Sequence, residues 1–534
     1  MGKNGFKKLG IMLDCSRNAV MRVEEVENMI DNMRAMGYNT LMLYTEDTYE
    51  VNNRPYFGYL RGRYSKEELK RIDAYAAENG IELMPCIQTL AHVNALMRWP
   101  EFIEMRDCED ILCVGDEKVY SLLEDIFSTL SETFTSRTVN IGMDEAYLMG
   151  RGRYMDINGV KDRTEILLTH LNRVSEIAAK YGFELLMWSD MFFRLATGSH
   201  YGDGEIPPEI NDMIPKNVKL IYWEYGQHGK SYFDSLIKRH QAISSDIWFA
   251  GGVQSWTGFA PHSTYAVEAM RTAAQSALDN GVESFLLTVW GDDGAECSKF
   301  SVLPTMYAVS RFAAGEFDTD KIKAGFEDTF GIEFDKFMLL ELPGTANAEG
   351  LCNPDKYMLY SDLLLGVWDS TVREGDAARY AECAEKLAEI SESFKYSYIF
   401  RTQRALCEVL ALKLELGLKI RNAYLSQNTE ELKALAGDCG ILAEKLEIFY
   451  NAFENQWMTE NKPHGFDVQD IRIGGLIKRV AHAKARIEKY INGELVRIEE
   501  LEEPLMEVFG RGFGYTPAPV RKNDWKNIVS ANVI

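Results

Sequence analysis

A (β/α)8 TIM barrel followed by an all-α domain is the fold this sequence predicts, on three observations. Eight short apolar, β-branched or aromatic runs recur over roughly the first 300 residues. Amphipathic stretches with helical periodicity lie between most of them. Past about Gly315 the strand signals stop and long helical patterns take over.

The first run, Leu9–Cys15, leads into Val23–Met36, where Val23, Val26, Met29, Ile30 and Met33 share one face and Gly37 ends the pattern. Thr40–Thr45 comes next. The helix after it, Ser65–Asn79, opens with Ser65-x-x-Glu68, the spacing of a capping box, and stops at Gly80. Glu82–Ile87 precedes a helix over Glu117–Phe134, and Thr138–Met143 precedes one over Arg163–Tyr181. The remaining runs are Glu184–Trp188, Lys219–Trp223, Asp246–Ala250 and Ser284–Trp290, with helices over Ser231–Ala242 and Tyr265–Asn280. Strands alternating with helices imply a parallel sheet, and a count of eight suits a closed barrel. An open doubly wound sheet calls for a glycine-rich phosphate turn after its first strand, and Asp14-Cys15-Ser16-Arg17 is not one. The expected division is a catalytic barrel over 1–315 and a helical domain over 316–534. That domain includes helices over Ile399–Tyr424, Glu430–Trp457 and Asp467–Ile491, and a tail near 510–534 packing back.

Composition narrows the function. A formal charge of −23 leaves no basic surplus for nucleic acid or for an anionic membrane surface. Nine scattered cysteines, never spaced C-x-x-C, read as reduced thiols rather than as disulfides or a zinc site. The eight histidines form no H-x-H or H-E-x-x-H, so neither a metal nor another cofactor is expected. Met1–Leu9 holds three lysines and no apolar run, and no segment reaches membrane-spanning length; the expectation is a cytoplasmic chain.

Chemistry in such a barrel belongs to the C-terminal ends of the strands. Those ends carry Asp14 and Arg17, Glu46 and Asp47, His92, Asp144 and Glu145, Trp188 and Asp190, and Trp223 and Glu224. Trp256 follows the seventh run, and the eighth closes with Trp290, Gly291, Asp292 and Asp293. Indoles stack on the apolar faces of pyranoses while carboxylates, Arg and His bind hydroxyls, so this rim reads as a sugar-binding mouth. Two adjacent acids can divide acid and anion roles between them, because repulsion and burial push their pKa values apart. Neighbouring strand residues face opposite ways, so both reach one site only if the strand breaks at Asp144.

Against this background Ile141-Gly142-Met143-Asp144-Glu145 resembles the acidic signature of glycoside hydrolase family 20, the β-N-acetylhexosaminidases. Leu13-Asp14-Cys15-Ser16-Arg17, Tyr44-Thr45-Glu46-Asp47, the segment Met84–His92 and Trp290-Gly291-Asp292 are similar to family segments in the same order, over roughly residues 9–295. The resemblance implies exo-acting, retaining removal of terminal N-acetylglucosamine or N-acetylgalactosamine through an oxazolinium intermediate formed by the substrate's own acetamide. Asp144 would orient that acetamide, and Glu145 would be general acid and then base. Trp188, Trp223 and Trp290 would wall the pocket, with Arg17, Glu46, His92, Trp256 and Asp292 as further substrate contacts.

There are departures from the family pattern. Cys86 and Gln88 replace acids near His92, Glu46 replaces an Asp, and the tyrosine for the acetamide oxygen is left between Tyr225 and Tyr147. A helical C-terminal domain is found in some bacterial members; here it could contribute to a homodimer.

Other readings stand beside these. Asp144 and Glu145 could open a helix without chemistry, Trp188 and Trp223 could be barrel core, and the loop bearing Trp256 could be a packed connection. Asp293 and Glu296 rival Asp292, and Arg151 and Arg153 read as a solvated loop. Functionally, a conventional retaining glycosidase with Glu224 or Asp292 as nucleophile and a silent sugar-binding barrel are the alternatives.

Overall fold

The computed structural model describes residues 5–202, 204, 206–207, 214–244, 246–346 and 353–506; the expected tail near 510–534 lies outside the described residues. Eight parallel strands close into a barrel: β1 (Lys8–Asp14), β2 (Thr40–Tyr44), β3 (Glu82–Cys86), β4 (Thr138–Asn140), β5 (Glu184–Trp188), β6 (Val218–Trp223), β7 (Ile247–Gly252) and β8 (Ser284–Val289). Each strand pairs with its sequence neighbour, and β1 joins β8 through Lys8 opposite Ser284 up to Leu13 opposite Val289. The strand starts match the expected runs to within one residue. β1, β2, β3 and β8 end one residue early and β4 ends earliest, at Asn140 instead of Met143; β5 and β6 end as expected, and β7 runs past Ala250 to Gly252.

The helices follow their sequence signals. Val23–Met36 ends at Gly37, which takes the left-handed conformation and donates its N–H to Arg34 and Met33. Lys66–Glu78 is capped by Ser65 and Glu68 in a reciprocal capping box. A short antiparallel pair, Arg106–Cys108 with Ile111–Leu112, interrupts the connection from β3 to β4; too short to produce a period, it gave no sequence signal.

Methionines line much of the barrel interior. Met12, Met42 and Met84 pack with Leu186, Ile221, Trp248, Ala250 and Leu286, and Tyr44, Cys86 and Trp188 belong to the same buried cluster. Unbranched thioethers fill irregular gaps between large aromatics better than β-branched residues do.

Two compact units are formed. The first comprises Met1–Val253, Tyr265–Trp290 and Thr305–Gly325; the second comprises Gln254–Thr264, Gly291–Pro304 and Phe326–Ile534. In the second, Asp376–Leu387 packs on Ser397–Lys413, which packs on Thr429–Glu460, which packs on Phe466–Ile491. The single helix expected over Ile399–Tyr424 is two, Ser397–Lys413 and Leu416–Leu425. The backbone tightens at Glu415 (φ −94°, ψ −9°), next to the buried Lys413, whose ammonium donates to the carbonyls of Met358 and Ser361.

The segments after β7 and β8 have their partners inside this helical unit. Asp355 accepts the backbone N–H groups of Phe259 (2.7 Å) and Ala260 (3.0 Å), and Gln403 donates to the Phe259 carbonyl. Glu296 is buried between Lys356 (2.9 Å) and Arg472 (2.8 Å). Lys356 is the fully buried cation of the two and Arg472 is partly exposed, so losing Lys356 leaves the buried carboxylate only its partly solvated partner, whereas removing the carboxylate as well takes the buried charge away. Lys356→Met is therefore expected to cost about 3 kcal/mol in urea unfolding, and adding Glu296→Leu should recover much of it; a single variant as stable as the wild type would contradict this account.

Candidate active site

The end of β4 decides where the two acids point. Regular strand geometry stops at Asn140, whose side chain accepts the Gly142 N–H at 3.0 Å. Gly142 (φ +73°), Met143 (φ +66°) and Glu145 (φ +54°) all lie in the left-handed region, so strand alternation is lost and Asp144 and Glu145 turn to the same side, towards His92. Glycine is required at 142: a Cβ there would sit 2.1 Å from Gln88 Oε1 and 2.8 Å from the Ile87 carbonyl. The β3 loop holds this turn, since Thr89 donates to the Ile141 carbonyl (2.8 Å) and Gln88 Oε1 accepts the Met143 N–H (3.3 Å).

Asp144 is gripped from two sides. The Gln88 amide donates to Oδ1 at 2.9 Å, and His92 Nε2 lies 3.2 Å from Oδ2 and 3.6 Å from Glu145 Oε2. Burial alone would raise the pKa of Asp144, but the His92 charge and the hydrogen bonds from His92 and Gln88 bring it below the usual carboxylate value. Burial opposes a charge on His92 as well, yet Asp144 outweighs it and raises the imidazole to about 9. The two groups form an ion pair at neutral pH. Glu145 is more open, its side chain 40% exposed against 11% for Asp144, and Tyr147 donates to it at 3.0 Å.

Arg17 comes from a loop that Asp14 shapes by accepting the N–H groups of Ser16 (2.9 Å) and Arg17 (3.1 Å). Its guanidinium pairs with Glu46 (2.8 Å) and lies over the rings of Tyr44 and Trp290. Tyr44 links the two halves of this polar wall, donating to Glu46 (3.1 Å) and accepting from Gln88 (3.0 Å).

The indoles are not equivalent. Trp188 is 1% exposed and belongs to the barrel core, so it is a floor; Trp223 and Trp290 are half-buried and pack above it. Tyr225 stacks on Trp223 (5.2 Å between centroids) and its hydroxyl accepts the Trp290 indole N–H at 2.9 Å. Trp256 and Asp292 fall in the second unit, half-buried there. Glu296, the rival of Asp292, is occupied by Lys356 and Arg472.

Residues 6–276 match the glycosyl hydrolase family 20 catalytic domain, and residues 335–512 match the Glycoside Hydrolase 20C C-terminal domain. The chain belongs to glycoside hydrolase family 20. It is thus a glycoside hydrolase of the β-N-acetylhexosaminidase kind. Hexosaminidase D of Homo sapiens is 23% identical over 366 residues, 62% of this chain and 70% of that protein. Hexosaminidase D of Bos taurus is 25% identical over 244 residues, 42% and 66% of the two chains, so the chain spans about two thirds of the length of these relatives. Among solved structures, a β-N-acetylhexosaminidase from Bacteroides fragilis NCTC 9343 aligns over 62% of this chain and 71% of its own with 18% identity and a TM-score of 0.48.

For a family 20 member the site holds two features that motif reading passed over. Gln88 looked like a lost acid, whereas it bridges Tyr44, Met143 and Asp144. Asp190 was visible as a strand-end carboxylate two residues past Trp188 but had no role; it accepts the Glu145 N–H at 3.0 Å and the Trp223 indole N–H at 3.4 Å. Among the described residues, His92, Asp144 and Glu145 are the one group with metal-ligand spacing.

The His92–Asp144 pair has a consequence for stability. The raised histidine value means its contribution is fully present below the unfolded value of 6.5 and is lost as pH rises through about 9. Wild type should therefore exceed His92→Gln in thermal midpoint at neutral pH, with the gap closing above about 9. A gap independent of pH would rule out the ion pair as its source.

Proposed function

We propose that this chain is an exo-acting, retaining β-N-acetylhexosaminidase that hydrolyses terminal non-reducing N-acetylglucosamine or N-acetylgalactosamine with anchimeric help from the substrate. The observation that carries the reading is the contrast between two adjacent carboxylates. Asp144 is buried, ionised and immobilised by Gln88 and His92, while Glu145 is half-open beside it.

In the first step the acetamide oxygen attacks the anomeric carbon, forming one C–O bond as the glycosidic C–O bond breaks. Glu145 gives its proton to the departing oxygen. Positive charge spreads over the forming oxazolinium ring, and the Asp144 anion, accepting the acetamide N–H, stabilises it at close range. In the second step Glu145 takes a proton from water as that water opens the ring with net retention. Tyr225, held against Trp290 and Trp223, is a candidate for the acetamide oxygen, with Tyr147, whose hydroxyl donates to Glu145, as the alternative. Trp223 and Trp290 would flank the sugar over the Trp188 floor, Arg17 and Glu46 would bind hydroxyls, and Trp256 and Asp292 remain candidates for the outer contacts. The catalytic division would be residues 1–315, with 316–534 as the helical domain.

A protein nucleophile is less well supported. Both oxygens of Glu224 are engaged, one by the N–H groups of Tyr225 and Gly226 at 2.9 Å and the other by Tyr232 at 3.0 Å. No helix among the described residues is long and apolar enough to cross a membrane. The cysteines among the described residues are all free, which agrees with a cytoplasmic site of action. A homodimer is part of the same reading, to be tested by light scattering.

Glu145→Gln should lower kcat/KM by about 10²- to 10⁴-fold on substrates with poor leaving groups while binding is kept. Asp144→Asn should reduce turnover of every N-acetyl substrate, and a thiazoline mimic of the cyclic intermediate should inhibit competitively. Efficient cleavage of the matching 2-hydroxy glycoside, or near-normal turnover by Asp144→Asn, would overturn the acetamide mechanism.

A further inference from the structure

Asp190 touches both halves of the pocket. It opens the helix Asp190–Thr197 directly after β5 and is completely buried. Each carboxylate oxygen meets a different donor: Oδ2 accepts the backbone N–H of Glu145 at 3.0 Å, and Oδ1 accepts the indole N–H of Trp223 at 3.4 Å. Glu145 needs such a restraint. Its φ of +54° lies where a residue with a Cβ pays about 1 kcal/mol or more, so surrounding contacts must over-determine it. A hydrogen bond from its own amide to a carboxylate is among the stronger restraints available.

The choice of residue follows from the two donors. A carboxylate accepts with both oxygens, whereas an amide of the same shape accepts with one and turns an NH2 towards the other N–H. Keeping a third carboxylate beside Asp144 and Glu145 is costly: burial and then the Asp144 charge raise Asp190 to about 7. No apolar side chain could make both contacts.

We propose that Asp190 is the positioning residue of the general acid: by holding the Glu145 backbone and the Trp223 indole together, it sets the angle at which the Glu145 carboxyl meets the glycosidic oxygen of a sugar lying against Trp223. The proposal rests on the role given to Glu145 above. It assigns Asp190 no proton transfer and no contact with the reacting atoms.

The test compares kcat/KM on aryl N-acetyl-β-glucosaminides with a good leaving group (2,4-dinitrophenol) and a poor one (phenol). This parameter reports glycosidic cleavage, and only the poor leaving group depends on the acid. Asp190→Ala should lose about 10²-fold on the phenyl substrate, the scale of a misplaced catalytic group, and less than about 5-fold on the dinitrophenyl one. Binding of the thiazoline inhibitor should stay within about 3-fold in both, because the sugar wall remains. Asp190→Asn should show the same pattern with a smaller loss, and it alone decides if the alanine variant fails to fold by thermal melting. Equal losses on both substrates, or no loss, would overturn the positioning role. A wild-type enzyme inert on every N-acetyl substrate would instead sink the activity proposed above.

Discussion

An ionised carboxylate inside a barrel is unstable unless charge and dipoles are fixed around it, and in this molecule they converge on Asp144. Burying an unpaired carboxylate costs several kcal/mol; the Gln88 amide and the His92 imidazolium offset that cost at 2.9 and 3.2 Å. The same two side chains bind the β3 loop to the β4 turn, so the electrostatics of the site and the shape of its backbone have one origin. His92 itself adopts φ +57°, which adds to the strain concentrated at this rim.

From Asp144 the contacts run around the mouth of the barrel without a gap. Gln88 leads to Tyr44, the Tyr44 ring meets Trp290 edge-on at 4.7 Å, the Trp290 N–H reaches Tyr225, and Tyr225 lies on Trp223. Asp190 joins Trp223 to the backbone of Glu145, the neighbour of Asp144. A ring of this kind resists the small displacements that would ruin alignment with a sugar. Catalytic dipoles are useful when they are already in place before charge develops.

The barrel was legible because its eight strands and most of its helices are long, strongly patterned and bounded by glycines or caps such as Gly37 and Ser65. Asp144, Glu145, Arg17 and His92 stood out because each is a polar residue shortly after an apolar run that could be recognised, although the end of β4 itself was placed three residues late. What escaped reading depended on contacts distant in sequence. Gln88 carries no charge, and its value comes from Asp144, 56 residues away. Asp190 depends on a backbone amide 45 residues earlier, and no residue type announces that partner. The depth of Trp188 could not be told from its type, since an indole serves equally as core or as wall. The break at Glu415 precedes Gly417, which lies inside the following helix and so did not read as its stop.

The allocation of the segments after β7 and β8 has a bearing on how this enzyme could be shortened. Phe259 and Ala260 rest on Asp355, and Glu296 rests on Lys356 and Arg472, all C-terminal to residue 315. A chain cut after Gly315 would keep both segments and lose the groups that neutralise and anchor them, stranding Glu296 and freeing the stretch that bears Trp256. The helical half is thus a scaffold for two connections encoded in the other half, and a minimal catalytic fragment cannot be defined by strand counting.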